Sequence, residues 1–499
     1  MTKERYLWCL LLLALVVGMV GSAGGPSSGA AEEDLQPTAT NAATMEPGEE
    51  AEPTATAAAT AEPEAAAQQA ATDAASIEPL DLAQAEIQDW PQLGRNPQRW
   101  HYFPATIENP PYGLKWSTAL SDFGIQHRTY ASAQVIYSAG KVFIGSKSGT
   151  LFALDAQNGA LAWQFSTGGP ILHTAGYENG KVFVASMDGH VYAVDANTGQ
   201  KLWDFGNNRR FGFVGAVLLA EGKVFAADSG GYLYALSQGD GAEQWHYDAG
   251  APVVCTPSYN NGRVFIGSED MRVHAVDSVS GGRVWRSEQI EGQSFIDYWP
   301  VIVGGRVIVS VMTGLEPMEG LGNPDPPING LNALDENTGA ILPTLPHYLL
   351  GSMNGPHSPP AVTADGLITV SWLIGSNAWG GSGWALVDPR TNRMVQVLNS
   401  APETVGTGAP DETLIASVWG DTIFVNHHFG WGGNPGHQSG SFDRRTQTWT
   451  EWPKRSQSGG SASGVYGFIN AQTGGVNSFS GVNTLLFHQA ADVIAAYGP

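Results

Sequence analysis

The sequence contains very little cysteine. Its 499 residues include Cys9, in an apolar N-terminal segment, and Cys255. Once that segment is removed, Cys255 has no partner for an internal disulfide. There is also no CxxCH motif for haem attachment. We therefore expect Cys255 to be a small buried apolar residue in a strand.

Basic residues are scarce as well. The chain has 24 Lys and Arg against 47 Asp and Glu, for a formal net charge of −23. Phosphate backbones and anionic membrane surfaces are bound through basic patches. The composition therefore argues against a nucleic-acid partner and against adsorption to an anionic membrane.

Motifs that would mark an active site are missing too. The sequence has no HExxH zinc motif and no phosphate-binding loop. Glu316 and Glu319 are close in sequence, but they lie in a loop rich in Gly and Pro with no sign of a buried pocket. We assign no catalytic residue from the sequence.

The N-terminus has the pattern of a targeting segment. Lys3 and Arg5 precede an apolar run from Tyr6 to Val20, and small residues follow up to Ala23. This order is typical of a signal peptide. A membrane-spanning helix needs about 20 apolar residues, so an uncleaved anchor formed by residues 6–20 is the alternative. We predict that residues 1–24 are a signal peptide or anchor and that the protein is an extracytoplasmic monomer.

Residues 25–86 differ in kind from the rest of the chain. Ala, Thr, Pro and Glu dominate, and residues 25–80 hold eleven acidic residues with no Lys or Arg. Such a composition cannot bury enough apolar surface to offset the entropy of ordering. We predict a disordered linker, either a spacer that holds the domain off a membrane or wall or a remnant of secretion. Residues 87–499 would form the folded domain.

A repeat of about 40 residues organises that domain. "GKVFIGSKSGTLFALDAQNGALAWQF" is followed by "GKVFVASMDGHVYAVDANTGQKLWDF", by "GKVFAADSGGYLYALSQGDGAEQWHY" and by "GRVFIGSEDMRVHAVDSVSGGRVWRS". The repeat Trp residues are Trp163, Trp203, Trp245 and Trp285. Several short strands per unit at this period indicate a propeller blade or a similar array.

Each unit divides into four strands with structural residues at fixed places. Asp155, Asp195 and Asp277 end third strands, where a carboxylate can accept backbone N–H bonds across the following turn. Gly residues in the turns allow positive φ. We expect the Trp near the end of each fourth strand to pack against the next blade.

Weaker repeats continue to the C-terminus. Second strands such as "GGRVIVSV", "DGLITVSW", "GDTIFVNH" and "GVNTLLFH" bring the number of blades to eight. The last unit lacks a fourth strand, and "YGLKWSTAL", with Trp116, matches one. We predict an all-β, eight-bladed β-propeller of four-stranded antiparallel blades, closed by this N-terminal strand. Seven blades would follow if the last unit were not a blade.

The repeat also resembles a known family. "AVDANTGQKLW" and "AVDSVSGGRVW" are similar to the pyrroloquinoline-quinone (PQQ)-like repeat, and "DWPQLGRNPQR", Asp89 to Arg99, looks like the segment that opens such propellers. The resemblance covers about residues 89–499. It implies one of two classes: quinoprotein dehydrogenases with PQQ, Ca²⁺ and a catalytic Asp, or non-catalytic scaffold propellers.

The dehydrogenases of this family typically carry two adjacent cysteines, which this chain lacks. We therefore expect a binding scaffold for a protein, glycan or small ligand outside the cytoplasm, with no cofactor. A quinoprotein oxidoreductase using PQQ with Ca²⁺ is the alternative. The resemblance places neither the Ca²⁺ ligands nor the catalytic Asp on residues of this sequence.

Long loops after the second strands of blades five to seven are the candidate ligand site. In blades one to four this turn is short, whereas here it is long and rich in Trp, Asn, His and Gly, and such loops often carry binding residues. The alternative is that these loops only cap the channel. The candidate residues are Trp372, Asn377, Trp379, Trp384, His427, Trp431, Asn434 and His437.

The histidines of blade seven raise the question of a metal. His427 and His437 flank a Gly-rich loop, and neutral imidazole is a common metal ligand. The loop contains no carboxylate, and His427 and His428 would point to opposite faces of a continuing strand. We therefore predict no metal site.

Overall fold

The computed structural model describes residues 89–105, 113–123, 133–207, 211–295, 298–311, 331–343, 359–373, 382–398, 416–425, 440–451, 480–482, 485–490 and 493–498. Every structural statement below refers to these residues. The predicted signal segment and linker, residues 1–86, lie outside them, so their roles stay predictions.

Eight antiparallel sheets, the blades, make up the described part of the chain, as the repeat predicts. Two strands precede the first blade: β1 (Tyr102–Phe103) and β2 (Gly113–Ala119). A short 3₁₀ helix, Leu120–Phe123, follows β2.

Blades one to four each have four strands, of which the first is innermost. Blade one is β3 (Ile136–Ser138), β4 (Lys141–Gly145), β5 (Thr150–Asp155) and β6 (Leu161–Ser166). Blade two is β7 (Gly176–Glu178), β8 (Lys181–Ala185), β9 (His190–Asp195) and β10 (Lys201–Gly206). Blade three is β11 (Leu218–Ala220), β12 (Lys223–Ala227), β13 (Tyr232–Ser237) and β14 (Glu243–Asp248). Blade four is β15 (Ser258–Asn260), β16 (Arg263–Ser268), β17 (Arg272–Asp277) and β18 (Arg283–Arg286).

The later blades are less regular among the described residues. Blade five is β19 (Val301–Val303), β20 (Arg306–Ser310) and β21 (Leu331–Asp335). Blade six is β22 (Ile368–Leu373), β23 (Ser382–Asp388) and β24 (Arg393–Leu398). Blade seven is β25 (Ser417–Trp419), β26 (Thr422–Val425), β27 (Gly440–Asp443) and β28 (Thr448–Glu451), with β1 added in parallel to β25. Blade eight is β29 (Ser480–Val482), β30 (Leu485–Ala490) and β31 (Val493–Gly498), completed by β2.

The N-terminal strand closes the ring as predicted. β2 pairs antiparallel with β31, and Thr118 lies opposite Ile494. The inner strand β29 also lies beside β3 of blade one. Closure by the two ends of the domain leaves few sheet edges open to further pairing.

The two ends of each blade carry different connections. The turn between the first and second strands and the turn after the third strand lie together, since Ala156 N donates to Gly140 O at 3.0 Å. We call this the Asp-turn end. The turn between the second and third strands lies at the opposite, connection end, where Met187 N donates to Pro170 O at 2.8 Å in the link from blade one to blade two.

The core lies between blades rather than at one centre. Second and third strands are buried on both faces because each blade is covered by its two neighbours. Phe143 and Leu151 of blade one, for example, belong to one buried cluster with Val182 and Val194 of blade two. This explains why these strands read as nearly continuous apolar runs rather than as alternating ones.

One contact between neighbouring blades recurs around the ring. The indole Nε1 of Trp163 donates to Ala196 O of blade two at 3.0 Å, and the ring covers Gly199, where a Cβ would lie 2.8 Å from Trp163 Cδ2. We call this contact the Trp–Gly latch. The same latch joins four further pairs: Trp116 with Gly159, Trp203 with Gly241, Trp245 with Gly281, and Trp285 with Gly339.

The Asp residues that precede the latch glycines hold the turns. Asp195 Oδ1 accepts hydrogen bonds from the backbone N of Asn197 at 3.0 Å and of Thr198 at 2.8 Å. The bond from the Thr198 backbone lowers the pKa of Asp195. Asp155 and Asp277 make equivalent bonds. These side chains are therefore structural elements of the repeat.

Candidate functional site: the hub of the channel

The segment Asp89 to Phe103, which we call the hub, runs around the Asp-turn end of the central channel. It contacts the inner strands of seven consecutive blades, because these strands present backbone groups that no other strand pairs. The contacts, in blade order, are Trp90 N to Tyr137 O, Tyr177 N to Pro91 O, Leu219 N to Gln92 Oε1, Tyr259 N to Pro97 O, Ile302 N to Gln98 O, Val362 N to Trp100 O, and Val418 N to His101 O.

Arg99 fixes the hub to blades three and four. Its side chain is 0 % exposed, and its guanidinium makes five hydrogen bonds between 2.8 and 3.3 Å. The acceptors are Pro257 O, which takes two of the bonds, together with Val217 O, Leu93 O and Gln92 Oε1. Burial lowers the pKa of Arg99 to about 9, so the group stays charged at neutral pH. All five N–H donors of the guanidinium are used.

Buried rings fill the channel beside this arginine. Trp419 stacks on Trp90 with a centroid distance of 5.4 Å, and Trp90 meets the edge of His101 at 6.3 Å. His101 in turn stacks on Trp299 at 5.4 Å, and His173 meets Trp299 at 5.9 Å. Each of these rings is at most 2 % exposed. At the level of the hub the chain itself therefore occupies the channel.

His101 is held neutral within this stack. Burial lowers its pKa to about 3. Its Nδ1 lies 3.2 Å from Arg99 O, and a carbonyl accepts only from N–H, so Nδ1 carries the proton and Nε2 is a bare acceptor. Among the described residues Nε2 has no hydrogen-bond partner.

Ser268 and His274 of blade four show the spacing of a nucleophile and its base. Ser268 Oγ lies 2.9 Å from His274 Nε2, and the Tyr247 hydroxyl lies 2.8 Å from Nδ1. Both Ser268 and His274 are 0 % exposed, so no substrate reaches them. Ser268 Oγ also bonds Asp270 within the same turn. The arrangement therefore stabilises a turn at the connection end.

A partly buried carboxyl lies at the same end of blade four. Glu269 Oε1 accepts from Ser294 Oγ at 3.1 Å and from Phe295 N at 3.2 Å, which ties the turn to the connection with blade five. Burial raises the pKa of Glu269 to about 7. Sequence reasoning missed this residue because Glu in a turn ordinarily signals exposure.

The structure describes only part of the predicted ligand site. Trp384 lies in β23 rather than on a loop; it is 4 % exposed and packs in the core between blades six and seven. Trp372 lies in β22, opposite Gly383. Asn377, Trp379, His427, His428, Trp431, Asn434 and His437 lie outside the described residues, as do Glu316 and Glu319.

Two features that would point to other functions are absent from the described residues. In that part of the chain no group of three or more His, Cys, Asp or Glu side chains is arranged to hold a metal ion. None of its helices is long and apolar enough to cross a membrane.

Comparison with known proteins gives a family for the repeat. The family model described as outer membrane protein assembly factor BamB matches residues 113–216 and 189–320. No curated protein matches the chain in sequence.

Solved structures share the fold. The quinohemoprotein alcohol dehydrogenase of Comamonas testosteroni superimposes with a TM-score of 0.57 at 13 % identity, over 87 % of this chain and 84 % of that one. A europium-containing methanol dehydrogenase gives 0.53 at 14 % identity, over 81 % of this chain and 90 % of that one. BamB of Moraxella catarrhalis gives 0.50 at 17 % identity, over 78 % of this chain and all of the other. At these identities the likeness establishes the fold alone.

Proposed function

Because this chain belongs to the PQQ-like repeat family of β-propellers, we propose that it is a non-catalytic binding scaffold that works outside the cytoplasm. Its partner would be a protein, a glycan or a small ligand. The ligand surface would be the connection end of blades five to seven, with Trp372, Asn377, Trp379, His427, Trp431, Asn434 and His437 as contact residues. Trp384 is withdrawn from that set because it is part of the core.

The observation that carries this proposal is the hub. Residues of the chain itself hydrogen-bond the inner strands of seven blades, and buried rings fill the channel at that level. A ring that its own chain occupies at the level of the hub leaves the connection end available to carry loops. Loops held on such a scaffold are where binding residues concentrate.

The alternative, a PQQ-dependent oxidoreductase, is favoured by the fold of the two dehydrogenases. Two observations weigh against it. No group of three or more His, Cys, Asp or Glu side chains among the described residues is arranged to hold a metal ion, and the chain has no adjacent cysteines. We derive no reaction step from this alternative.

Location and attachment are also part of the proposal. The segment Tyr6–Val20 and the acidic stretch that follows it support export, with the domain either released or tethered through its N-terminus. Mass spectrometry of the mature N-terminus would distinguish cleavage after Ala23 from a retained anchor.

Binding to glycan and peptide arrays tests the proposed surface. We expect Trp431→Ala to remove binding of whichever probe the wild type retains, while the thermal midpoint barely moves. Trp163→Ala, a latch residue on blade one, is the control and should lower the midpoint without removing binding. A large loss of stability in Trp431→Ala with binding unchanged would mean that the loops only cap the channel.

A further inference from the structure

Arg95 is a second buried arginine of the hub, and its bonding differs from that of Arg99. It is 7 % exposed. Its Nε donates to Asp89 O at 3.1 Å, and its Cζ lies 5.1 Å from the ring centroid of Phe103. Among the described residues, the Nη1 and Nη2 atoms make no hydrogen bond and no ion pair, and they are not among the fully buried polar atoms that lack a partner. One donor of five is therefore used, whereas Arg99 uses all five.

This contrast matters because a largely buried arginine ordinarily has acceptors around its guanidinium. Arg99 shows that the hub can surround a guanidinium with carbonyl acceptors when the role is structural. A second example is Arg444, whose Nη1 and Nη2 bond both oxygens of Asp365 at 2.8 and 2.7 Å. Arg95 has neither kind of arrangement around its terminal nitrogens.

The backbone and the neighbours hold Arg95 in place. Its backbone φ is 71°, a left-handed conformation that residues other than glycine rarely adopt. Arg95 N donates to Gln92 O at 2.9 Å, which closes the turn. The ring of Phe103 and the Asp89 carbonyl then fix the plane of the guanidinium. A planar fork held in one orientation is suited to bidentate recognition of an oxyanion.

The charge on Arg95 persists at neutral pH. Burial lowers its pKa to about 10, and the Asp89 carboxylate and Tyr102 oppose that shift. The Asp89 carboxylate is itself engaged, because its Oδ2 accepts from Ser138 Oγ at 2.8 Å. The chain carries a net charge of −23, so its long-range field repels anions. A ligand here must therefore be held by short-range contact.

We propose that Arg95 is a carboxylate-binding residue at the Asp-turn end of the channel. The ligand is a carboxylate, presented either by a small molecule or by an acidic peptide, and its two oxygens accept from Nη1 and Nη2. The site lies at the opposite end of the ring from the connection end, where the ligand surface is proposed. It stands or falls independently of the binding site proposed there.

Saturation-transfer NMR with acetate on the full chain tests the site, at constant ionic strength set by sodium chloride. We expect the acetate signal of the wild type to saturate, and we expect the acetate affinity of Arg95→Gln to be at least ten-fold lower. Arg306→Gln removes an arginine that donates to Gly304 O and Arg390 O, and this control should bind as the wild type does. Equal binding by the wild type and a folded Arg95→Gln would overturn the proposal.

Two further arms complete the test. Arg95→Lys keeps the charge but not the fork, and it should bind acetate several-fold more weakly than the wild type. If Arg95→Gln fails to fold, unchanged acetate binding by Arg95→Lys would overturn the bidentate contact. A tetraglutamate peptide separates the two sources of the carboxylate. If its affinity per carboxylate exceeds that of acetate, the ligand is an acidic peptide. If the two affinities per carboxylate are equal, the ligand is a small molecule.

Discussion

Asn392 Nδ2 donates a hydrogen bond of 2.9 Å to Pro343 O, at the place where other blade junctions have a Trp–Gly latch. Pro343 lies eight residues after Asp335, as Trp163 does after Asp155, and Asn392 lies four after Asp388, as Gly199 does after Asp195. Asn392 also has the positive φ, 57°, of the glycine it replaces. This junction therefore has neither the Trp ring nor the glycine of the latch, and a hydrogen bond from a side-chain amide stands in their place.

The next junction repeats this exchange. Gln396 Nε2 donates to Gln447 Oε1 at 2.7 Å, and the φ of Gln447 is 58°. Both junctions lie among blades five, six and seven, the blades with long loops. A Trp at these positions would clash with any side chain at the turn, which explains why the two positions change as a pair.

Restoring a latch between blades five and six should show this coupling. Pro343→Trp alone places a large ring against Asn392, and Asn392→Gly alone loses a hydrogen bond worth about 1 kcal/mol. We expect the double variant to be more stable than the sum of the two single changes, by about 1–3 kcal/mol in a urea-unfolding cycle. Additive effects would contradict the idea that one position determines the other.

An existing latch offers a test with a matched control. The φ of Gly199 is 73°, and a Cβ there meets the Trp163 ring at 2.8 Å; the φ of Gly180 is 75°, with nothing within 4 Å of a Cβ. Gly180→Ala should cost only the left-handed strain, about 1–2 kcal/mol. Gly199→Ala should cost about 1–3 kcal/mol more, because it overpacks the ring.

The Trp163→Ala background provides the check. With the ring removed, we expect Gly199→Ala to cost no more than Gly180→Ala in urea unfolding. An undiminished cost in that background would mean that the strain lies in the turn itself rather than in the contact between blades.

Ring closure can be tested with a disulfide. Ser117 of β2 and Ala495 of β31 are paired residues on neighbouring antiparallel strands, a separation that suits a disulfide. Ser117→Cys with Ala495→Cys should cross-link under oxidation and raise the thermal midpoint. Loop closure would add at most about 5 kcal/mol to the free energy of unfolding. Ser117→Cys alone should leave the midpoint unchanged, and failure of the folded pair to cross-link would contradict the register.

Glu269 predicts a pH dependence of a defined sign. Burial raises its pKa from 4.5 to about 7, so between these values the folded state holds a proton that the unfolded state has lost. Stability contributed by this group is present below pH 4.5 and falls as the pH rises towards 7. Glu269→Gln keeps an acceptor for Ser294 and Phe295 and should remove this fall.

The measurement is urea unfolding of both proteins from pH 4.5 to 8. We expect Glu269→Gln to gain stability relative to the wild type as the pH rises, and to differ little at the acid end. Parallel profiles would show that Glu269 titrates normally.

Much of the fold, but little of the hub, is readable in the sequence. Asp, Gly and Trp at a period of about 40 identify blades one to four, because each of these residue types has one structural role in the repeat. The N-terminal strand is recognisable for the same reason, through Trp116. The hub has no period: its course depends on positive φ values at Arg95, Arg99 and His101, which no side-chain pattern announces.

The two side-chain amide hydrogen bonds that replace the latch could not be predicted from the sequence, for a related reason. Asn392 and Gln447 look like ordinary turn residues. Their role in joining blades is visible only from their hydrogen bonds with Pro343 and Gln396, about fifty residues earlier in the chain. Trp384 was misplaced because Trp near a Gly-rich stretch resembles a loop platform, whereas the ladder of β23 begins two residues earlier, at Ser382.

The central claim, binding without catalysis, is tested most directly by loading the purified chain with PQQ and Ca²⁺ and following dye reduction with a panel of alcohols and sugars. We predict no substrate-dependent reduction above that of the heat-denatured protein carried through the same loading. Reduction that requires substrate and saturates with PQQ would contradict the scaffold account and establish an oxidoreductase.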